Sequence, residues 1–343
     1  MIYRKIDDRS VSVVPQNPDD LFALRRVVRA GDRVAGSTTR AIRKEREYAR
    51  PDRGERVRIK ISLEVEAASL DGMLGRLRLG GTIHESSSEQ VKRGSHHSLS
   101  VHAGDAISIT KDWGPGERKL LRGSGGQGFV LVAVDTSECG IARLHGTHLE
   151  MITTLRSGSP GKRYKTSFNI GGYLEAAAAA AGLAVRKGDS LIVFGPGETR
   201  KKLANLMQGR RLPEPAVVEG IDSAGEDGIR LFTRSDAMRD SMSGSRMARV
   251  MDIIDSVMLL ASKKSAKFSM GYAETRAAAE AGAIESLVFS DGLISAAGEQ
   301  QAVDFLNNAQ ATGAGIFGAD STTDAGLRVD GLGGVIATLR FKP

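Results

Sequence analysis

The 343-residue sequence is poor in cross-linking and aromatic residues: it has one cysteine, one tryptophan, and 5% aromatics overall. A lone Cys139 cannot close an internal disulfide, which fits a reducing compartment and a fold held by its core. No apolar run approaches the roughly 18 residues of a membrane span, since the best candidate, 174–185, is mostly alanine and carries Glu175 and Gly182. The opening MIYRKIDDRS places charges where a signal peptide needs its apolar segment. A soluble, cytoplasmic protein is the expectation. A phosphate loop is also missing. The Gly-rich stretch ending at Gln127 is followed by a strand-like segment and by no Lys-Ser/Thr, so nucleotide hydrolysis by this chain is not expected.

What is present is globular. Hydrophobic residues make up 41% and charged residues 26%, which excludes intrinsic disorder and a fibrous protein. The length suggests two or three domains. The formal net charge of +7 is unevenly spread. Residues 1–122 hold 24 Lys+Arg against 17 Asp+Glu (+7), residues 123–243 hold 15 against 13 (+2), and residues 244–343 hold 9 against 11 (−2). Within the first third, residues 40–60 contain nine basic side chains: Arg40, Arg43, Lys44, Arg46, Arg50, Arg53, Arg56, Arg58 and Lys60. Four acidic ones stand among them. Arginine dominates, and its planar fork pairs bidentately with phosphate and stacks on bases, so the run is a candidate polyanion site. The plain alternative is a solvated, charge-rich strand face.

Periodicity divides the chain further. Short strands are predicted at 2–6 and 11–14, followed by a helix opened by Pro18, Asp19 and Asp20 and closed by Gly31. From 57 to 65 apolar and polar residues alternate strictly, and 73–83 and 99–109 repeat the pattern, so a small, strongly bent sheet or barrel is expected. A loop over 37–55 would protrude from it. Residues 111–128 concentrate Gly, Pro and charge and read as a linker. Beyond it, 129–134, 140–145 and 148–154 form an antiparallel meander. A basic loop, 156–165, then leads into helix 173–181, strand 190–194, helix 199–207 and strand 216–221. After a Ser/Gly-rich joint at 241–245 come helices at 247–261, 272–281 and 299–309 and strands at 286–290, 315–317 and 334–341, an α/β/α sandwich of common domain size. The expected division is 1–122, 129–241 and 246–343.

Several groups invite a chemical role. His84, His96, His97 and His102, with Glu85, Glu89 and Asp105, match no tight metal spacing and read as surface histidines. Cys139 falls at a hairpin turn with no neighbour in sequence to activate it. Gly125-Gly126-Gln127 is the tripeptide with which class-1 peptide release factors reach the peptidyl-transferase centre, but there it follows the first strands of the middle domain. Here it precedes them, and the corresponding loop, 156–165, has no such tripeptide, so Gln127 reads as linker. Residues 195–202, GPGETRKK, leave the carboxyl end of a strand and enter a helix, a place where α/β proteins build contact surfaces and also a place where plain turns occur.

Taken together, these pieces resemble the Pelota family of archaeal and eukaryotic ribosome-rescue factors, relatives of the class-1 release factors. The resemblance rests on PDDLFALRRVVRAGDRVAGSTTR (18–40), GGTIHESSSEQVKRGSHHSLSV (80–101) and Lys111-Asp112-Trp113. It continues through GPGETRKKL (195–203), GYAETRAAAEAGAIESLVFSD (271–291) and LGGVIATLRF (332–341), in order and along the whole chain. Met270 departs from the tyrosine frequent there. The resemblance implies a multidomain α+β and α/β protein. An Sm-like β-barrel would come first, then a release-factor-like middle domain without the catalytic loop, then an α/β/α sandwich like a ribosomal-protein fold. It implies a monomer, similar in shape to tRNA, that enters the empty A site of a stalled ribosome with an elongation-factor-like GTPase, or the elongation factor itself, and promotes subunit dissociation. Carried onto this sequence, Arg40, Arg43, Lys44 and Arg46 in the loop from Ser37 would probe the decoding centre. Arg156, Lys162, Arg163 and Lys165 would rest on RNA. Pro196, Gly197, Thr199, Gly271 and Glu274 would face the GTPase.

Three function classes compete. The first is a non-enzymatic rescue factor with no cofactor. The second is an endoribonuclease that cleaves message with a divalent metal cation held by Glu45, Glu47, Asp52 and Glu55, carboxylates that serve equally well as charge balance. The third is peptide release by Gln127, for which no hydrolysis is expected.

Overall fold

The computed structural model describes residues 1–42, 55–71, 75–88, 91–123, 127–158 and 170–343. Contacts divide the chain into two compact units, 1–125 with 298–307, and 126–297 with 308–343.

The first unit begins with β1 (Ile2–Lys5), β2 (Ser10–Val14) and α1 (Pro18–Val27). There follow β3 (Arg33–Ile42), β4 (Glu55–Asp71), β5 (Arg76–Ser86), β6 (His96–Val101), β7 (Ile107–Thr110) and α2 (Glu117–Gly123). The α1 helix starts as its sequence requires. Asn17 caps it, its side-chain oxygen accepting from the Asp20 amide at 2.9 Å, and Pro18 occupies the first turn where no amide is needed. The seven strands form one sheet in the order β1-β2-β7-β3-β4-β5-β6, with every described pairing antiparallel. Among the described residues the ladder ends at β1 and β6 rather than closing on itself, and Leu21 and Leu24 of α1 share one core with Val34, Ile61, Leu63, Leu77, Leu79, Leu99 and Ile109.

Three local expectations are corrected here. Residues 37–42 are strand, not loop, because β3 pairs with β4 all the way from Arg33↔Glu64 to Ile42↔Glu55. The predicted strand 99–109 is two strands, broken where Gly104 takes a positive φ (93°) and Asp105 accepts from the His102 amide at 2.9 Å. The predicted linker 111–128 contains α2, whose Leu121 is fully buried in the core. At the start of that stretch Lys111 is itself buried. Its ammonium donates to the Val27 carbonyl at 2.7 Å and pairs with Asp32 (3.1 Å) and Glu117 (3.3 Å). Trp113 donates its indole N–H to the Arg9 carbonyl at 2.8 Å. The Lys-Asp-Trp motif is therefore a clasp between the last strand, α1 and α2.

The second unit contains β8 (Gly128–Val134), β9 (Glu138–His145), β10 (His148–Arg156), α3 (Ile170–Ala184), β11 (Ser190–Phe194), α4 (Thr199–Met207), β12 (Pro215–Val217), α5 (Gly225–Arg234) and α6 (Asp236–Ser241). It continues with α7 (Arg246–Ser262), β13 (Phe268–Met270), α8 (Tyr272–Glu280), β14 (Ile284–Phe289) and α9 (Asp291–Ala297). The chain finishes with α10 (Glu299–Ala311), which is shared between the units, then β15 (Gly315–Gly318), α11 (Asp324–Gly331) and β16 (Val335–Leu339).

A five-stranded sheet runs β10-β9-β8-β11-β12, antiparallel through the meander and parallel across β8, β11 and β12. All seven residues of β8 are buried, as expected for a strand covered on both faces. Val130 and Val132 meet α3 and α4 on one side, while Phe129, Leu131 and Ala133 meet α5 on the other. The alanines of α3 make its buried face flat, with Ala177, Ala178 and Ala181 against the sheet. A four-stranded sheet, β13-β16-β14-β15, follows. The Ser/Gly-rich joint at 241–245 does not separate two cores: Phe232, Met238, Met242, Met247 and Met251 belong to one apolar cluster with Val288 and Ile336. The connection across it is also polar. The Thr147 hydroxyl donates to the Gly318 carbonyl at 2.9 Å, His148 Nδ1 bonds the Asp320 carboxylate, and Arg234 lies 3.1 Å from Asp324.

Candidate functional site

The basic run begins on a strand. In the β3–β4 ladder Ser37 stands opposite Lys60, Thr39 opposite Arg58, Arg40 opposite Val57 and Ala41 opposite Arg56. Four of the nine basic residues are thus brought into register on one two-stranded ribbon, and the Arg58 and Lys60 side chains are exposed. Arg43, Lys44 and Arg46 lie outside the described residues, as do Glu45, Glu47 and Asp52 of the metal reading. Among the described residues no three His, Cys, Asp or Glu side chains are grouped to hold a metal ion. The histidines pair separately, His84 with Glu85 (3.9 Å), His96 with Glu66 (3.3 Å) and His102 with Asp105 (3.2 Å), while His97 lies 3.4 Å from the Thr38 hydroxyl.

Arg156 is the exposed last residue of β10, opposite Glu138 in register, and Lys162, Arg163 and Lys165 lie outside the described residues. Gln127 is occupied at the root of the sheet: its amide donates to the Ser190 hydroxyl at 2.7 Å, immediately before β8. Cys139 is fully buried in β9, and burial pushes its thiol up to about 12, with Asp135 adding to the effect, so it stays protonated and unreactive.

The turn at 195–198 leaves the carboxyl end of β11 and starts α4. Gly195 has φ +130°, and a β-carbon there would fall 2.2 Å from the Val134 carbonyl oxygen, so only glycine lets the chain pass β8 this closely. Pro196 is half-buried, Gly197 (φ +69°) and Glu198 are exposed, and Thr199 is buried. Glu198 occupies the cap position of α4 but makes no side-chain capping bond. The second proposed partner surface is also a strand-to-helix turn, on the other sheet. Gly271 (φ +73°) caps α8 and donates its amide to the Val335 carbonyl at 2.8 Å. Glu274 stands exposed in the first turn, its carboxylate 3.4 Å from the Met270 amide. Asp330 closes the turn before α9, accepting from the Ser290 hydroxyl and, at 3.2 Å, from the Gly292 amide.

Sequence reasoning missed one buried pair that anchors the middle sheet. Arg143 on β9 donates Nε to Asp189 Oδ2 at 2.8 Å and Nη2 to Oδ1 at 3.1 Å, with side-chain exposures of 9% and 4%. Gly128 passes over it with no room for a side chain, since an added β-carbon would sit 2.0 Å from Asp189 Oδ1.

Comparison with known proteins places the chain. A sequence model of the Pelota N-terminal domain matches residues 1–124, and one of eRF1 domain 3 matches 247–343. A Pelota homolog from Nitrosopumilus maritimus is 50% identical over 347 residues, spanning 100% of this chain and 99% of that protein. The chain belongs to the Pelota family. The crystal structure of the Thermoplasma acidophilum Pelota protein shares the fold across 100% of both chains, with a TM-score of 0.64 at 23% identity. The archaeal translation termination factor aRF1 shares it over 78% of this chain and 75% of that one, with a TM-score of 0.50 at 16% identity. The multidomain release-factor-like architecture expected from the Pelota resemblance is therefore the architecture observed.

Proposed function

We propose that this protein recognises stalled ribosomes and promotes their dissociation in mRNA surveillance, entering the vacant A site as a tRNA mimic beside a translational GTPase. The observation that carries the reading is Pelota kinship running the full length of the chain. The charge distribution supports it, since residues 1–122 carry an excess of +7 and the β3–β4 ladder brings Arg40, Arg56, Arg58 and Lys60 onto one pair of strands. Contacts of arginine with phosphate give affinity without sequence preference, which rescue of any message requires.

In this reading the chain works as three modules. Residues 1–122 bind RNA at the decoding centre through Arg40, Arg43, Lys44 and Arg46. Residues 129–241 rest Arg156, Lys162, Arg163 and Lys165 on RNA. Residues 246–343, through Gly271 and Glu274, join Pro196 and Gly197 in meeting the GTPase, with buried Thr199 standing behind that turn. The protein supplies charge, shape and a partner surface and cleaves no bond itself. The test is a dissociation assay on ribosomes stalled at the end of a truncated message. Adding the protein with an elongation-factor GTPase and GTP is expected to convert 70S particles to subunits, and an unchanged particle profile would reject the function.

A further inference from the structure

The turn between β11 and α4 is a poor candidate for holding its own shape. It has the sequence Gly195-Pro196-Gly197, two of its three residues lack a side chain, and both glycines sit at positive φ. Beyond Gly195, whose backbone lies against β8, and half-buried Pro196, side-chain packing adds little to fix such a segment. It is held instead from behind by one side chain. Arg200, in the first turn of α4, donates Nη1 to the carbonyls of Gly195 (3.0 Å) and Gly197 (2.6 Å), closing both sides of the turn onto one guanidinium.

The other arm of the same fork, Nη2, donates to Glu219 Oε1 at 2.8 Å, just past β12, and Lys201 approaches that carboxylate to 3.5 Å. The hydrogen bond from Arg200 and the nearby charge of Lys201 hold the Glu219 carboxyl below its ordinary range. The Arg200 side chain is only 13% exposed, and among the described residues its Nε is buried without a hydrogen-bond partner. An orphaned buried donor is a cost that a plain surface ion pair would not need to bear. The arrangement fits a role that depends on where the other two nitrogens point.

We propose that Arg200, anchored by Glu219, is a positioning residue that holds the Gly195-Pro196-Gly197 turn in the single conformation on which the GTPase partner docks. The inference rests on the reading of this turn as GTPase-facing. Arg200 acts through backbone carbonyls, and the surface it presents is the exposed outer side of Gly197 and Glu198. The α4 helix keeps its own anchorage through buried Leu203, Ala204 and Met207, so loosening the turn does not unseat the helix.

The experiment compares the full-length wild type with Arg200→Ala and Arg200→Lys. The elongation-factor GTPase of Nitrosopumilus maritimus, loaded with a non-hydrolysable GTP analogue, serves as the probe. Three quantities are read: affinity for the probe, affinity for ribosomes without it, and hydrogen exchange of the Gly197 and Glu198 amides in the free protein. Arg200→Ala is expected to bind the GTPase at least about tenfold more weakly, with faster exchange at those two amides and unchanged ribosome affinity and melting temperature. Arg200→Lys, which keeps the charge and can still donate to the turn carbonyls, should fall between and serves if the alanine variant folds poorly. Wild-type GTPase affinity in a variant with accelerated exchange would overturn the proposal, because the order of the turn would then be irrelevant. Weakened affinity without accelerated exchange would overturn it too, by making Arg200 a direct contact. Failure of the wild type itself to bind, with the exchange difference intact, would instead remove the reading of this turn as GTPase-facing.

Discussion

Reversal of Arg40, Arg43, Lys44 and Arg46 to glutamate is expected to weaken ribosome binding by on the order of a hundredfold or more at physiological salt. The affinity should also become less sensitive to salt. If each of the four cations neutralises one phosphate, the log–log slope flattens by roughly 3 to 4. Binding of the GTPase by the same variant should hardly change, since that surface is assigned to the turns after β11 and β13. The measurement is ribosome co-sedimentation across a salt series, with GTPase binding as the control. Equal ribosome affinity in the variant would remove these four residues from the interface.

A second large effect is expected inside the middle sheet. Asp189→Ala leaves the Arg143 guanidinium buried without its carboxylate, and breaking a buried pair from one side costs roughly 3–5 kcal/mol. The loss is sharpened because Asp189 also accepts from the Arg186 amide at 3.0 Å. Urea denaturation followed by circular dichroism reads this directly. Replacing both partners with apolar residues, Arg143→Met with Asp189→Leu, should recover much of the loss, since neither charge is then stranded. A single-variant loss below about 1 kcal/mol would mean that water reaches the pair and that it is not an anchor.

The two effects differ in how visible they were in the sequence. The basic run could be read from residue types alone, and so could the elements with strong periodicity. Helix 199–207 and strand 190–194 lie where the pattern put them, because Leu203, Ala204 and Met207 recur at helical spacing and SLIVF is a continuous apolar run. The β3 strand escaped notice because its inward positions are disguised. Gly36 faces the core without a side chain, and a β-carbon there would come within 2.9 Å of Leu99 Cδ2, so packing demanded the residue that weakens a strand pattern. The α5 helix was missed for a similar reason. Gly228 interrupts its sequence but is required where a β-carbon would fall 2.5 Å from the Ser223 carbonyl. Its Ile229 and Phe232 were there to be seen, and Phe232 stacks on Phe194 with ring centroids 4.3 Å apart.

Pairings across the fold were hidden more completely. Arg143 and Asp189 are 46 residues apart, and Arg200 reaches Glu219 only because β12 runs parallel beside β11. The proposed site residues stand out as types in a pattern, while contacts such as Arg143–Asp189 and Arg200–Glu219 become visible only with the register of the sheet. The shared core of Met238, Met242, Met247 and Val288 is of the same kind, since a Ser/Gly-rich joint reads as a boundary whether or not the flanking segments pack together.

Rescue of this kind requires that the protein occupy the tRNA cavity. Binding of the labelled full-length protein to programmed ribosomes is to be measured with the A site empty and again with the A site filled by tRNA. Tight binding to the first and mutually exclusive, competitive loss of binding in the second are expected. Equal binding to both ribosomes would contradict that occupancy.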